Sequence, residues 1–119
     1  MPARFKDLCL DARDDRALAQ WWCAAMGYTM RLAASEDGAG EWTGAIEDPT
    51  GAGPLIWVNQ VPEAKSVKNR MHLDVIGDTR QLIALGATLV RARDSEIQWD
   101  ILADPEGNEF CVFTPKPAT

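Results

Sequence analysis

The sequence predicts an α+β domain in which two β-α-β-β-β units follow one another along 119 residues. Two internal repeats indicate this duplication. Lys6–Leu10 and Met71–Val75 are similar short stretches, and each precedes an acidic helix start. Asp48–Gly51 and Asp104–Gly107 share the pattern Asp-Pro-x-Gly, and each precedes an apolar stretch. A chain of this length can bury one core but not two independent ones, so both units are expected to belong to a single domain, residues 1–119.

The repeats also match individual residues of the two units. The first repeat places Asp7 and His72 at the same point, 65 positions apart (72 − 7). The second repeat matches Trp57 with Cys111. His72 is the only histidine of the chain. We therefore expect these four residues to occupy equivalent places on the strands of the two units.

The first strand is predicted at Phe5–Asp11, where alternation puts two leucines on one face and Asp7 and Cys9 on the other. A helix is predicted to begin at Asp14–Asp15, since acidic side chains cap free N–H groups and complement the positive helix end. Gly27 is predicted to end it. One apolar stripe with helical spacing consists of Leu18, Trp21, Trp22, Ala25 and Met26.

Three strands complete the first unit, which spans residues 1–60: Tyr28–Ala34, Glu41–Glu47 and Leu55–Gln60. The first two flank a polar, glycine-rich segment and are predicted to form a hairpin. The Asp48–Gly51 turn precedes the third. Residues 61–69 contain a proline and three charged side chains, which is typical of a surface linker between the units.

The second unit, residues 70–119, is predicted to repeat this order. Its strands are placed at Arg70–Ile76, Ala87–Arg93, Glu96–Leu102 and Glu109–Phe113. A short helix is predicted at Asp78–Leu85, where Asp78 and Gln81 have the spacing of a capping box. Gly86 is predicted to end it.

Composition excludes several classes of protein. With 46% apolar and 25% charged residues the chain is expected to be globular. Its formal charge of −6 disfavours binding to nucleic acid and to anionic membranes. The N-terminus lacks the apolar core of a signal peptide, and three cysteines form no C-x-x-C pair, so a cytoplasmic protein with reduced thiols is predicted. A small organic molecule is the expected partner, and exposed strand edges could pair two chains into a homodimer.

The motifs and their order resemble those of a known superfamily. They are Asp11-x-x-Asp14, Trp22, Lys68-Asn69-Arg70-x-His72-x-Asp74 and the run Leu102–Val112. Together they resemble the vicinal oxygen chelate superfamily, which includes glyoxalase I, extradiol dioxygenases and bleomycin resistance proteins, and within it the small glyoxalase-like domain proteins. The resemblance implies that each unit curls a sheet, that the two sheets form a joint cleft, and that the helices lie outside.

In that superfamily, the metal ligands of the catalytic members come from the first and last strands of each unit. The resemblance implies that these four ligand positions correspond to Asp7, Trp57, His72 and Cys111 in this sequence. Only His72 matches the usual histidine or glutamate. Trp57 has no ligand atom to offer, and Cys111 would have to bind as a thiolate. We therefore expect no metal cofactor, and we regard a divalent metal as the disfavoured alternative.

His72 is the main candidate for a catalytic residue. Strand parity places it on one face with Arg70 and Asp74, and Met71, Leu73 and Val75 on the opposite, helix-covered face. A carboxylate two residues along could orient the imidazole as an acid, a base or a hydrogen-bond donor to ligand. The alternative is a buried histidine whose ring nitrogens form hydrogen bonds with neighbouring residues. Asp7 is the second catalytic candidate, because it occupies the equivalent place.

The remaining candidates are ligand-binding residues with structural alternatives. The ring of Trp57 could stack on a planar or cationic ligand, or it could fill the core. Cys111 would be a reactive thiolate only with a depressed pKa, whereas most small buried cysteines pack inertly. Lys65, Lys68 and Arg70 could bind an anionic group, or they could be solvated linker residues.

Two functions follow from these candidates. The first is a binding or sequestering protein, similar to the bleomycin resistance branch, in which aromatic surface replaces the metal. The second is a lyase or isomerase of the glyoxalase type that uses His72, with or without Asp7, for proton transfer. Missing metal ligands favour the first, whereas polar side chains aimed at one point favour the second. The fold decides neither, because function belongs to the site.

Overall fold

Two β-α-β-β-β units form the structure, a computed structural model that describes residues 2–115. The chain divides into compact units between Ala64 and Lys65. The elements of the first unit are β1 (Leu8–Ala12), α1 (Asp15–Met26), β2 (Thr29–Ala33), β3 (Glu41–Glu47) and β4 (Ile56–Gln60). The elements of the second unit are β5 (Leu73–Ile76), α2 (Thr79–Leu85), β6 (Thr88–Arg91), β7 (Asp100–Ala103) and β8 (Glu109–Phe113). The predicted α+β class and element order are confirmed.

Each unit contains one four-stranded mixed sheet. The strand orders are β1-β4-β3-β2 and β5-β8-β7-β6, so in both units the first strand pairs in parallel with the last. The strand registers of the two sheets are equivalent, because residues that the sequence repeats match occupy the same positions in both sheets. Cys9 pairs with Trp57 in the first sheet, and Asp74 pairs with Cys111 in the second. The offsets are 65 positions for the first strands (74 − 9) and 54 for the last (111 − 57), as the sequence repeats predict.

Helix α1 forms where its end signals and its apolar stripe agree. The side chain of Asp14 accepts a hydrogen bond from the N–H of Ala17, which satisfies a free donor at the helix start. Gly27 ends the helix with a φ of 73°, in the left-handed region that favours glycine. The buried side of α1, which packs on the first sheet, consists of Leu18, Ala19, Trp21 and Trp22.

Helix α2 is short, and both of its ends agree with the sequence prediction. Asp78 caps it by accepting a hydrogen bond from the N–H of Gln81, and Gly86 follows its last residue. Leu82 is its buried side chain. The hydroxyl of Thr79 donates to Asp100 of β7 over 2.6 Å, which links the start of α2 to the sheet of the same unit.

Three strands, β1, β5 and β7, begin three or four residues later than predicted, for reasons that lie in their surroundings. β1 starts at Leu8 rather than Phe5 because it pairs with Ile56, and Pro54 lies just before that partner strand and cannot donate to a ladder. β5 starts at Leu73 rather than Arg70 because its partner β8 begins only after the 104–107 turn. Met71 is consequently 84% exposed and not helix-covered as predicted.

β7 starts at Asp100 rather than Glu96 because a turn occupies the preceding residues. The carboxylate of Asp94 accepts hydrogen bonds from the N–H groups of Glu96 and Ile97. The N–H of Asp94 donates to the carbonyl of Ile97. An aspartate that satisfies its own backbone in this way favours a turn over a strand.

The two Asp-Pro-x-Gly motifs form turns of the same kind. In the first, the N–H of Gly51 donates to the carbonyl of Asp48 over 2.9 Å. In the second, the N–H of Gly107 donates to the carbonyl of Asp104 over 2.8 Å. Both glycines have positive φ, which explains the glycine at the end of each motif. These turns bring β4 and β8 into place beside the first strand of each unit.

An ion pair between exposed Arg93 and buried Asp100 stabilises the second unit. The guanidinium of Arg93 donates to both carboxylate oxygens of Asp100, whose side chain is only 11% exposed. The hydrogen bonds from Arg93 and then from Thr79 lower the pKa of Asp100 from 3.8 to about 2. Asp100 therefore links β7, α2 and the segment after β6.

Within residues 2–115, the structure contains no helix that is both long enough and apolar enough to cross a membrane.

Candidate functional site

Asp7 and Trp57 form a direct contact in the first unit. Trp57 lies in β4 opposite Cys9 of β1, and Asp7 stands two residues before Cys9. Alternation along an extended chain puts Asp7 and Cys9 on the same side. The indole Nε1–H of half-buried Trp57 donates to Asp7 Oδ2 over 3.0 Å. Two of the four predicted site residues therefore lie together on one face of the first sheet.

A third side chain, Lys6, completes this group. Its ammonium forms an ion pair with Asp7 and lies 5.9 Å from the centroid of the Trp57 ring. The hydrogen bond from Lys6, followed by the one from Trp57, lowers the pKa of Asp7 below its ordinary value. Asp7 is thus held as an anion, which suits the binding of positive charge and makes it a weak proton acceptor.

In the second unit, His72 and Cys111 lie together with Asp74. His72 stands just before β5, and Asp74 pairs with Cys111 across β5 and β8. Cys111 Sγ is 3.7 Å from His72 Nδ1, and Asp74 Oδ1 is 3.6 Å from the same nitrogen. The imidazole is 38% exposed, and its Nε2 makes no hydrogen bond with another residue in the range 2–115. His72 therefore has one nitrogen free for a ligand.

This arrangement does not activate Cys111 as a nucleophile. A thiol–imidazole–carboxylate relay needs the thiol and the carboxylate at different ring nitrogens, whereas both face Nδ1 of His72 here. Burial, followed by the negative charge of Asp74, raises the pKa of the Cys111 thiol. The thiol is neutral near pH 7, and the geometry favours a packing and hydrogen-bonding role for it.

The residues that could hold a metal ion are not the set that the resemblance implies. In the second unit, donor atoms of His72, Asp74 and Cys111 lie within 4.8 Å of one another. Such a set suits zinc only if the thiol ionises, which its raised pKa opposes. In the first unit, the Nε1–H of Trp57 is a donor and offers no lone pair, and Asp7 accepts from it. The four residues Asp7, Trp57, His72 and Cys111 therefore do not fit the superfamily metal.

The predicted basic cluster is divided between two roles. Lys65 forms an ion pair with Glu109, and the N–H of Asn69 donates to the same carboxylate over 3.2 Å. Burial raises the pKa of Glu109, but the hydrogen bonds from Lys65 and Asn69 outweigh it, so the pKa is lowered overall. Lys65 is thus a structural residue that ties the linker to β8. Lys68 and Arg70 are exposed and remain candidates for contact with an anionic group.

Sequence reasoning did not find two of these partners. Lys6 was part of the repeat, but its contact with Trp57 depends on the parallel pairing of β1 and β4. Asp74 was expected to orient His72, but its interaction with the thiol of Cys111 was not predicted. A parallel register between β5 and β8 would have indicated that contact. The shared cleft for the two groups of residues stays a prediction.

A family model described as the glyoxalase-like domain matches residues 7–113, which cover both units. The match includes Asp7, Trp57, His72 and Cys111. No curated protein sequence matches the chain.

Several solved structures share the fold. A glyoxalase/bleomycin resistance protein/dioxygenase family enzyme from Burkholderia phytofirmans is 19% identical with a TM-score of 0.63, over 94% of this chain and 98% of that one. The fosfomycin resistance protein FosX from Mesorhizobium loti is 13% identical with a TM-score of 0.64, over 98% and 95%. TioX from Micromonospora sp. is 15% identical with a TM-score of 0.57, over 92% and 97%. At such identities the likeness shows the fold alone.

Proposed function

Since the chain belongs to the glyoxalase-like domain family of the vicinal oxygen chelate superfamily, we propose that it binds or sequesters a small organic molecule without the superfamily metal ion. The observation that carries this proposal is the indole of Trp57, which donates a hydrogen bond to Asp7. The superfamily resemblance assigns the position of Trp57 to a metal ligand. A half-buried aromatic ring cannot coordinate a metal, but it offers a flat apolar face on which a ligand can stack.

Other parts of the site support binding rather than metal chemistry. Trp57 and Lys6 both engage the carboxylate of Asp7, and Cys111 is held as a neutral thiol. In the second unit, exposed His72, Asp74 and Arg70 supply a separate group of polar side chains for contact with a ligand. Names that refer to bleomycin or fosfomycin resistance belong to the structural neighbours. For this chain the proposal rests on Trp57.

One observation favours an enzyme as the second candidate function. His72 is partly exposed, and its Nε2 makes no hydrogen bond with another residue in the range 2–115, so this nitrogen is available to a substrate as a proton donor or acceptor. Asp7 does not support it in this role, because its lowered pKa makes it a weak base. A lyase or isomerase reaction would therefore depend on His72, and His72→Gln would abolish it.

We predict that Trp57→Ala weakens ligand binding more than Trp21→Ala does. Ligands are first identified by screening a library of small molecules for changes in the NMR spectrum of the protein. Loss of a stacking ring should raise the dissociation constant about fivefold or more, which corresponds to roughly 1 kcal/mol. Trp21→Ala is the matched control because Trp21 is buried on α1. Equal affinities of the Trp57→Ala variant and the wild type would remove Trp57 from the binding site.

We also predict that the protein purifies without a stoichiometric divalent metal, and that added zinc, nickel or iron does not raise its melting temperature strongly. Tight binding would add about 2.7 kcal/mol of stability at a hundredfold excess over the dissociation constant, which a thermal melt detects easily. Elemental analysis that finds one metal per chain would contradict this. Loss of that metal in Cys111→Ser would assign it to the His72, Asp74 and Cys111 donors.

A further inference from the structure

Lys6, Asp7 and Trp57 already hold one positive charge in the first unit. The Lys6 ammonium and the Trp57 indole N–H both reach Oδ2 of Asp7, and the ammonium lies 5.9 Å from the indole centroid. The face of an aromatic ring and a carboxylate both attract a cation, and here they act on the same one.

The three side chains differ in how firmly they are held. Asp7 is 15% exposed at its side chain and is oriented by the Trp57 N–H, whereas the Lys6 side chain is 84% exposed. Exposed ion pairs and exposed cation–π contacts with flexible lysines are weak. The carboxylate and the ring are therefore the fixed parts of this arrangement, and the ammonium is the replaceable part.

We propose that Asp7 and Trp57 recognise an organic cation of the substituted ammonium class, and that Lys6 occupies this position until the ligand displaces it. The inference rests on the proposed function, because it needs a ligand at Trp57. A methylated ammonium group is larger and less hydrated than that of lysine, so it gains more from an aromatic face. A metal ion would find no lone pair on the indole.

Two neighbouring side chains suit a positive ligand, and a third opposes it. Asp11 has the same strand parity as Asp7 and Cys9 and is exposed, so it adds a second carboxylate to this face of the sheet. Asn59, which pairs with Asp11, supplies a neutral polar group. Arg31 contributes an opposing positive charge near Asp7. The ligand is therefore expected to carry its cationic end at Trp57.

The test compares choline with its neutral isostere 3,3-dimethylbutan-1-ol. Both are titrated into ¹⁵N-labelled protein, and the indole N–H signal of Trp57 is followed. The chain has five tryptophans, so that signal is identified by its loss in Trp57→Phe. We expect choline to shift it and the isostere to leave it unchanged. Asp7→Asn, which keeps the shape of the side chain and removes its charge, should abolish the response.

Lys6→Met provides the sharpest variant, because it removes the internal competitor and keeps an unbranched side chain that is only one heavy atom shorter. It should bind choline about threefold more tightly than the wild type, as expected when a weak exposed contact is removed. Arg80→Met makes the same charge change at an exposed position of α2 in the second unit and should leave the affinity unaltered. If only electrostatic attraction to the whole chain mattered, both variants would gain equally, which would overturn the proposal.

The outcomes separate this inference from the proposed function. Equal responses to choline and the isostere, or no gain in Lys6→Met, would overturn recognition of a cation. If neutral aromatic compounds shift the Trp57 signal and choline does not, the chain binds ligands there but does not select cations. If no compound of any charge shifts it, both the inference and the proposed ligand site fail.

Discussion

Trp22→Ala should lower the free energy of unfolding by about 3–5 kcal/mol, the usual cost of replacing a fully buried large aromatic residue with alanine. Trp22 is 2% exposed on the inner side of α1, and its ring meets that of Trp21 edge to face at a centroid distance of 4.9 Å. The substitution removes apolar contacts and leaves a cavity that helix and sheet can close only in part. Urea denaturation followed by far-ultraviolet circular dichroism measures the loss.

Trp57→Ala is the matched control for this experiment, since it removes the same side chain from a half-buried place on the sheet. It should cost clearly less stability than Trp22→Ala, because less of its surface leaves water on folding. Circular dichroism is preferred to fluorescence, since both variants lose a fluorophore. Equal losses in the two variants would identify Trp57 as a core residue and would count against its role as a ligand platform.

Asp100→Asn should lower stability by roughly 2 kcal/mol at neutral pH, with the loss disappearing in acid. The hydrogen bonds from Arg93 and Thr79 lower the pKa of Asp100 from 3.8 to about 2 in the folded state. A lowered pKa means that the folded protein binds the proton less readily than the unfolded chain. The stabilisation is therefore complete above pH 3.8, declines as the pH falls toward 2, and is absent below that.

Urea unfolding of the wild type and of Asp100→Asn at several pH values between 7 and 2 tests this dependence. The two curves of stability against pH should converge at the acid end. Asp11→Asn is the control, because Asp11 is an exposed carboxylate that forms no ion pair with another residue in the range 2–115. It should change stability little at any pH. A constant difference between wild type and Asp100→Asn at every pH would mean that packing, rather than charge, is lost.

Most of the fold could be predicted from local patterns. β3 and β8 have the predicted bounds, and α1 has both predicted ends, because alternation, caps and glycines lie within the segments themselves. The start of β1 could not be predicted in this way, because it is set by Pro54 in front of its partner strand. Strand ends depend on the partner strand, and a single sequence does not show which strand that is.

The candidate site shows the same division between local and distant information. Parity along one strand indicated that Asp7 and Cys9 share a face, and the repeat pointed to Trp57 and Cys111 as equivalent residues. Lys65 was placed in a solvated or ligand-binding cluster, yet it pairs with Glu109, 44 residues later. The sequence does not show which residue a charged linker side chain will pair with. Sequence periodicity indicates the face of a strand or helix on which a residue lies, but not its contacts with residues far along the chain.

The parallel pairing of first and last strands has a consequence for synthesis on the ribosome. Among residues 2–115, β1 is an edge strand that pairs only with β4, and Leu8 pairs with Ile56, 48 residues later (56 − 8). β5 depends on β8 in the same way. As the chain emerges from its N-terminus, β1 has no strand to join until almost the whole unit has been made. Each unit therefore closes at its last strand, and a nascent chain cut short before β4 would leave β1 without its hydrogen-bonding partner.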